Sequence, residues 1–316
     1  MLFIKEIYFV SLIPLMRLSP LEKAQKRAII LAHYYTSPEV QQVADFTGDS
    51  LALSQKAASV DADVILFAGV KFMAETAKVL SPERTVLLPV PDAGCSLADS
   101  CDAERLAQWK REHPGVMVVS YVNTSVEVKA HTDICCTSSN ALRVVQSIPA
   151  DQPILFVPDR NLGSYIKKVT GRENITLWDG CCLIHEDFCP EGLAKLRAEN
   201  PGVKVLAHPE CNKSILEQAD VIGSTADLLA YCSGSDDTFI VVTEVGILHE
   251  MQSVHPEKRF IPAPKRGGGC NECLDMKKVN LENICSALEN LAPTVEIEES
   301  VRKAAEGSIL RMISLK

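Results

Sequence analysis

The chain has 316 residues, enough for two or three domains that each bury a core. Hydrophobic residues make up 47% and charged residues 23%, an ordinary soluble balance, and a net charge of −9 excludes the basic stripe of a general nucleic-acid-binding surface. An anionic small molecule is not excluded, because helix N-termini and histidines hold one without altering bulk charge.

In chain order, Met1 to Met16 comes first, apolar but interrupted by Lys5, Glu6 and Pro14. Its uninterrupted part falls short of the about 20 residues that span a bilayer. No small-residue cleavage site follows, only Arg17-Leu18-Ser19-Pro20. The expectation is an N-terminal extension over 1–16, with Met16 as an alternative start, on a cytoplasmic protein with no membrane or nucleic-acid partner.

Three apolar strand-like runs then recur, each ending in a polar residue: Ile29 to His33, Met117 to Tyr121 and Val203 to His208. Their last residues lie 88 and 87 positions apart. After each comes an aspartate that opens a second apolar run, at Asp63, Asp133 and Asp220, followed by small residues and a helix-like stretch. A third strand closes each unit at Thr85 to Leu88, Ile154 to Val157 and Phe239 to Val242, with Asp92, Asp159 and Glu244 just beyond. On this reading the first unit is stretched, with 30 residues between its first two marks against 12 in the others. The extra piece holds Ser37-Pro38-Glu39, a helix start, and a second helical stretch from Leu51.

Strands alternating with helices of this length imply parallel sheets covered on both faces. A period near 87 residues is too long for a solenoid, so each unit is a small α/β domain. The predicted boundaries are 17–108, 109–194 and 195–280. Two amphipathic helices in 281–316 pack back on the first domain; Leu281, Ile284, Cys285, Leu288 and Leu291 line one, and Val301, Ala305, Ile309, Met312 and Ile313 the other. In parallel α/β sheets ligands sit at the carboxyl ends of strands, where His33, Tyr121, Ser138, His208 and Ser224 all fall.

Twelve cysteines in so large a chain read as reduced thiols, several buried and a few metal-bound, not as a disulfide scaffold. Cys135, Cys136, Cys181, Cys189, Cys211, Cys232 and Cys285 read as small buried hydrophobes. Cys95, Cys182 and Cys273 instead follow the repeat, 87 and 91 positions apart. One thiol per unit points to one shared site, and three thiolates leave a four-coordinate metal open. Gly94 permits a tight turn presenting Cys95, which in isolation would read as a buried structural cysteine. In Gly180-Cys181-Cys182-Leu183-Ile184-His185 either cysteine fits as ligand, and Cys-x-x-His is also half a zinc site. The Cys270-Asn271-Glu272-Cys273 run suits a zinc half-site, a redox pair or a cluster ligand. No second Cys-x-x-Cys completes a zinc ribbon and no ferredoxin run is present. Three isolated thiolates better suit an iron–sulfur cluster whose unprotected iron acts as a Lewis acid.

His33-Tyr34-Tyr35 offers a histidine and a phenol that could hold a carboxylate and shuttle a proton, with strand-end packing the equal alternative. Ser50, Ser138, Ser224 and Thr225 read first as helix caps, yet helix starts facing one cavity also bind anions. His208-Pro209-Glu210-Cys211 adds a histidine and a carboxylate in register with His33 and Tyr121.

These motifs together resemble the quinolinate synthase family, the A protein of bacterial and archaeal NAD biosynthesis. The stretches that carry the resemblance are Ala32-His33-Tyr34-Tyr35, Asp45 to Ser50, Ala93 to Asp99, Tyr121 to Ser125, Cys136 to Asn140, Trp178-x-Gly180-x-Cys182-x-x-His185, His208 to Cys211, Gly223-Ser224-Thr225 and Cys273 to Lys277. They run in order from about residue 25 to 280. The resemblance implies three pseudo-threefold-related, three-layer αβα domains with short parallel sheets around a central 4Fe-4S cluster. It implies condensation of iminoaspartate with dihydroxyacetone phosphate to quinolinate, with loss of phosphate and two waters. Carried over by motif, the cluster ligands are Cys95, Cys182 and Cys273, the Gly-x-Cys register selecting Cys182 over Cys181. Cys270 occupies a position that varies in the family. Tyr35 becomes the acid/base, and Glu210 lies by the open iron. His33, Ser50, Ser138, His208, Ser224 and Thr225 would bind carboxylates or phosphate, and Tyr121 and Asn123 would orient the intermediate. L-aspartate oxidase or aspartate dehydrogenase would supply iminoaspartate. The competing readings are a zinc-dependent lyase on the same thiolates and a non-catalytic iron–sulfur redox sensor.

Overall fold

The computed structural model describes residues 26–315, so the 1–16 extension lies outside the described residues. Among the described residues there are three four-stranded sheets, and every strand pair in them is parallel. The first comprises β1 (Ala28–His33), β2 (Phe46–Gly48), β3 (Val64–Ala68) and β4 (Thr85–Leu87). The second comprises β5 (Met117–Tyr121), β6 (Ile134–Cys136), β7 (Ile154–Val157) and β8 (Ile175–Leu177). The third comprises β9 (Lys204–Ala207), β10 (Val221–Ile222), β11 (Thr238–Val242) and β12 (Arg259–Pro262). The strand orders are β2-β1-β3-β4, β6-β5-β7-β8 and β10-β9-β11-β12. One topology is used three times, and the α/β class with short parallel sheets is as expected.

The repeat nonetheless registers differently from the sequence reading. The partner of Asp133 and Asp220 in the first unit is Asp45, not Asp63. Each carboxylate accepts the backbone N–H of the neighbouring first strand at 2.8 Å: Asp45 from Ile30, Asp133 from Val118 and Asp220 from Val205. Asp45 lies 12 positions beyond His33, so the first unit is not stretched there. The run after Asp63 is β3, the counterpart of β7 and β11. Strand β2 has only three residues, one of them glycine, too few to display a period of two. The edge strands β8 and β12 were not anticipated for a related reason. Both are short, and Thr176 and Arg259 on them face solvent.

Strand β3 is buried along its length, as an interior parallel strand should be. Alternate residues serve opposite faces. Leu31, Ile65 and Phe67 pack with Leu53 and Phe72 of the helices Ser50–Ser59 and Lys71–Leu80. Ile30, Ala32 and Leu66 pack with Ile284, Ala287 and Leu288 of the tail helix Leu281–Asn290. The last helix, Glu299–Ser314, does not sit on the first unit alone. Its Ala305, Ile309 and Met312 share a core with Phe72 of the first unit and Val126, Cys135 and Val144 of the second. Ser308 donates to the Lys129 carbonyl at 3.1 Å, and Asn140 donates to the Met312 carbonyl at 3.0 Å.

Among the thiols expected in cores, Cys135, Cys136, Cys211, Cys232 and Cys285 are buried, but Cys181 and Cys189 are only half-buried. Cys189 caps the helix Pro190–Glu199, its sulfur accepting the Gly192 N–H at 3.3 Å. Among the described residues no helix is long and apolar enough to cross a membrane.

Candidate active site

The carboxyl ends of β1, β5 and β9 each present two side chains, at positions i and i+2: His33 with Tyr35, Tyr121 with Asn123, and His208 with Glu210. All six line one cavity of about 70 Å³. In the first and third units the turn is the same. The Tyr35 N–H donates to His33 Nδ1 at 3.1 Å, and the Glu210 N–H donates to His208 Nδ1 at 3.4 Å. With Nδ1 accepting, each ring carries its proton on Nε2. His208 Nε2 meets Ser138 Oγ at 3.1 Å. Burial holds both histidines neutral, each with a pKa lowered to about 3; His208 depresses His33 further, and His185 depresses His208.

Ser50, Ser138 and Thr225 each stand five residues beyond the repeat's aspartate and line the same cavity. Ser224 does not line it. Its side chain caps the helix Thr225–Tyr231 in a reciprocal box with Asp227, at 2.6 Å from hydroxyl to carboxylate. Asp49 occupies the equivalent cap in the first unit, accepting the Ala52 N–H at 2.8 Å.

The three cysteine loops are held by one repeated main-chain bond. The residue three positions beyond the end of each central strand donates to the carbonyl two residues before the cysteine. These bonds are Lys71 to Ala93 at 2.9 Å, Arg160 to Gly180 at 2.8 Å and Val245 to Asn271 at 3.1 Å. Cys95, Cys182 and Cys273 thereby reach the cavity, each at the start of a four-residue helix. Cys181 does not line it and lies half-buried near Arg160. Gly180 is needed because a Cβ there would overlap Ser100 Oγ and stand 2.5 Å from the Pro158 carbonyl oxygen.

Burial raises all three thiol pKa values, that of Cys95 to about 12, although backbone N–H groups of the next turn oppose it. Cys273 raises Cys95 further, and Cys95 raises Cys182, so the sulfurs are electrostatic neighbours. Three converging soft donors that cannot ionise without a compensating cation suit an iron–sulfur centre with three protein ligands. Val70, Phe72, Met73, Ile184 and Met276 form apolar walls of the cavity, and no fourth thiol lines it among the described residues.

A hydrogen-bonded chain crosses the polar side. Tyr35 Oη lies 2.6 Å from Thr243 Oγ1, which lies 2.8 Å from His185 Nε2. His185 Nδ1 stands 2.9 Å from Glu210 Oε2, and Tyr121 Oη donates to Glu210 Oε1 at 2.5 Å. Burial would raise the Glu210 pKa, but His185, His208 and these hydrogen bonds outweigh it and keep the group a carboxylate. Tyr35 and Tyr121 go the other way, raised well above 10 by burial and by Glu210, so both stay protonated. Asn123 Oδ1 is buried without a partner, an acceptor available to a ligand's donor.

Thr243 and His185 were not foreseen as members of this chain. His185 stood out as half a zinc motif and as part of a family stretch without a role of its own, and Thr243 is one polar residue after an apolar strand. Cys182, His185 and Glu210 also bring one sulfur, one nitrogen and one oxygen within 4.8 Å of one another, donors that zinc accepts.

The family model described as "Quinolinate synthetase A protein" matches residues 18–314. A protein named "Quinolinate synthase" from Trichodesmium erythraeum (strain IMS101) is 52% identical over 295 residues, covering 93% of this chain and 91% of that protein. One of the same name from Prochlorococcus marinus (strain MIT 9313) is 53% identical over 291 residues, covering 92% and 87%. With nearly the whole chain matched and half of it identical, the chain belongs to the quinolinate synthetase A protein family.

Proposed function

We propose that the protein condenses iminoaspartate with dihydroxyacetone phosphate to form quinolinate, phosphate and two waters, in de novo NAD biosynthesis. The observation carrying this reading is the meeting of Cys95, Cys182 and Cys273 with six strand-end polar groups in one cavity. When bound to those thiolates, a 4Fe-4S cluster with one open iron supplies a Lewis acid for a hydroxyl that leaves as water.

The remaining work falls to the side chains. Tyr35, a phenol of high pKa, gives and recovers a proton through Thr243 and His185. Glu210, kept ionised and held by the Tyr121 hydroxyl, accepts a proton from the substrate. The Nε2–H groups of His33 and His208 and the hydroxyls of Ser50, Ser138 and Thr225 hold carboxylate and phosphate oxygens. Asn123 Oδ1 accepts from an imine or hydroxyl and orients the intermediate. Ser224 contributes by seating Thr225. A reducing cytoplasm suits the twelve thiols, and L-aspartate oxidase or aspartate dehydrogenase would provide the short-lived imine.

The test is anaerobic purification with iron and acid-labile sulfide counts, then a quinolinate assay on freshly generated iminoaspartate and dihydroxyacetone phosphate. About four irons per chain with quinolinate formed is the expected result. The Cys182–His185–Glu210 triplet favours a second reading, a zinc-dependent lyase. Zinc without sulfide would select it. An intact cluster that yields no quinolinate would instead indicate a redox sensor.

A further inference from the structure

Each central strand is followed, two residues beyond its end, by a position facing the cysteine loop: Val70, Asp159 and Glu244. In the second unit Asp159 Oδ2 accepts the Cys182 N–H at 3.1 Å. In the third unit Glu244 Oε1 accepts the Cys273 N–H at 3.1 Å, while its Oε2 accepts the Gly246 N–H at 2.6 Å. Four residues after each cysteine comes another equivalent position, whose N–H bonds the cysteine carbonyl: Asp99, Glu186 and Lys277. Two units carry acids there. Only the third carries a cation, so the repeat itself does not demand Lys277.

The Lys277 ammonium has two partners. It lies 2.8 Å from Glu244 Oε1, which is fully buried, and it donates to the Tyr35 carbonyl at 2.6 Å. The same Glu244 oxygen therefore receives the Cys273 amide and the lysine that grips the Tyr35 main chain. The surroundings are close-fitting. Gln41 Nε2 donates to the carbonyls of Tyr34, Thr36 and Gly246 at 2.8, 2.9 and 3.0 Å. A Cβ on Gly246 would stand 2.7 Å from the Tyr34 carbonyl oxygen and 2.8 Å from Tyr35 Cα. The 33–36 loop of the first unit is thus seated on the third unit, and among the described residues its charged tether is Lys277.

We propose that Glu244 and Lys277 are a positioning pair that ties the Cys273 loop to the Tyr35 main chain and holds the Tyr35 phenol in register with Thr243. This rests on the role given to Tyr35 and Cys273 above. Glu244 lines the cavity and Lys277 does not; the lysine acts through Tyr35.

The experiment compares wild type, Lys277→Met and Lys277→Arg, each with and without its cluster. Amide hydrogen exchange over residues 33–36 is the readout independent of turnover. Lys277→Met should speed that exchange about tenfold or more, leave exchange over 121–124 unchanged, and lower kcat by about 10²-fold with KM little altered. Lys277→Arg should recover most of both. Wild-type exchange and kcat in Lys277→Met would overturn the proposal. Should Lys277→Met fail to load iron, the cluster-free forms decide, and equal exchange over 33–36 in wild type and variant would overturn it equally. A wild type that lacks iron or makes no quinolinate would sink the functional reading while leaving the exchange comparison intact.

Discussion

At the residue scale, the site divides proton-holding from proton-accepting groups by burial and by neighbours. Tyr35 keeps its proton, and among the described residues its side-chain hydrogen bond is to Thr243. Tyr35→Phe should therefore lower turnover by roughly 10² to 10⁴ while iron content stays at the wild-type level; near-normal turnover would remove Tyr35 from the acid/base role. The buried histidines govern acid stability. His33 and His208 fall from an ordinary 6.5 to about 3 on folding, so the unfolded chain binds more protons between those values. Stability is then fully present above pH 6.5 and declines as pH falls through that window. Tm measured from pH 7.5 to 5 should drop, and drop less steeply in His33→Asn/His208→Asn; parallel slopes would contradict the assignment. His33, Tyr35, Tyr121, His208 and Glu210 were readable, since polar groups closing apolar runs stand out, whereas Asn123 came only through the family resemblance. Thr243 was not, because its value lies in a contact with residues 208 and 58 positions away.

At the element scale, short strands concealed part of the repeat. Phe46-Thr47-Gly48 carries one large hydrophobe, whereas Val64 to Ala68 shows five buried residues and drew the register to itself. What places the thiols is a loop element, the turn clamped to the segment that follows each central strand. In the second unit the clamp runs through Gly180. Gly180→Ala should push the loop off Ser100 and Pro158, lowering both bound iron and Tm; full iron retention would show that the turn adapts. The same loop separates its two cysteines. Cys182→Ala should abolish the cluster and Cys181→Ala retain it, as iron and sulfide counts would record; the reverse pattern would transfer the ligand role to Cys181.

At the scale of the whole molecule, the site belongs to no single unit. Hydrogen bonds across it join Tyr35 of the first to Thr243 of the third, and Tyr121 of the second to Glu210 of the third. The seam between first and second units is closed by the last helix, whose apolar face was legible but whose partner was not. Val301, Ala305, Ile309, Met312 and Ile313 announce burial without saying against what. Ile309 is fully buried in that seam. Ile309→Ala should cost about 2–5 kcal/mol in a denaturant titration and loosen the cavity wall with it; a loss below about 0.5 kcal/mol, typical of a surface position, would mean the helix is dispensable there.

The threefold clamp on the cysteine loops has a consequence for how such a protein can change. Its bond is made between an amide and a carbonyl, so it prescribes no side chain at either end. Lysine, arginine and valine donate at the three copies, and alanine, glycine and asparagine accept. Apart from Gly180, where Ser100 and Pro158 leave no room for a Cβ, the clamp is thus indifferent to the identities it displays. A framework used three times can carry different chemistry at each copy without a change in its geometry.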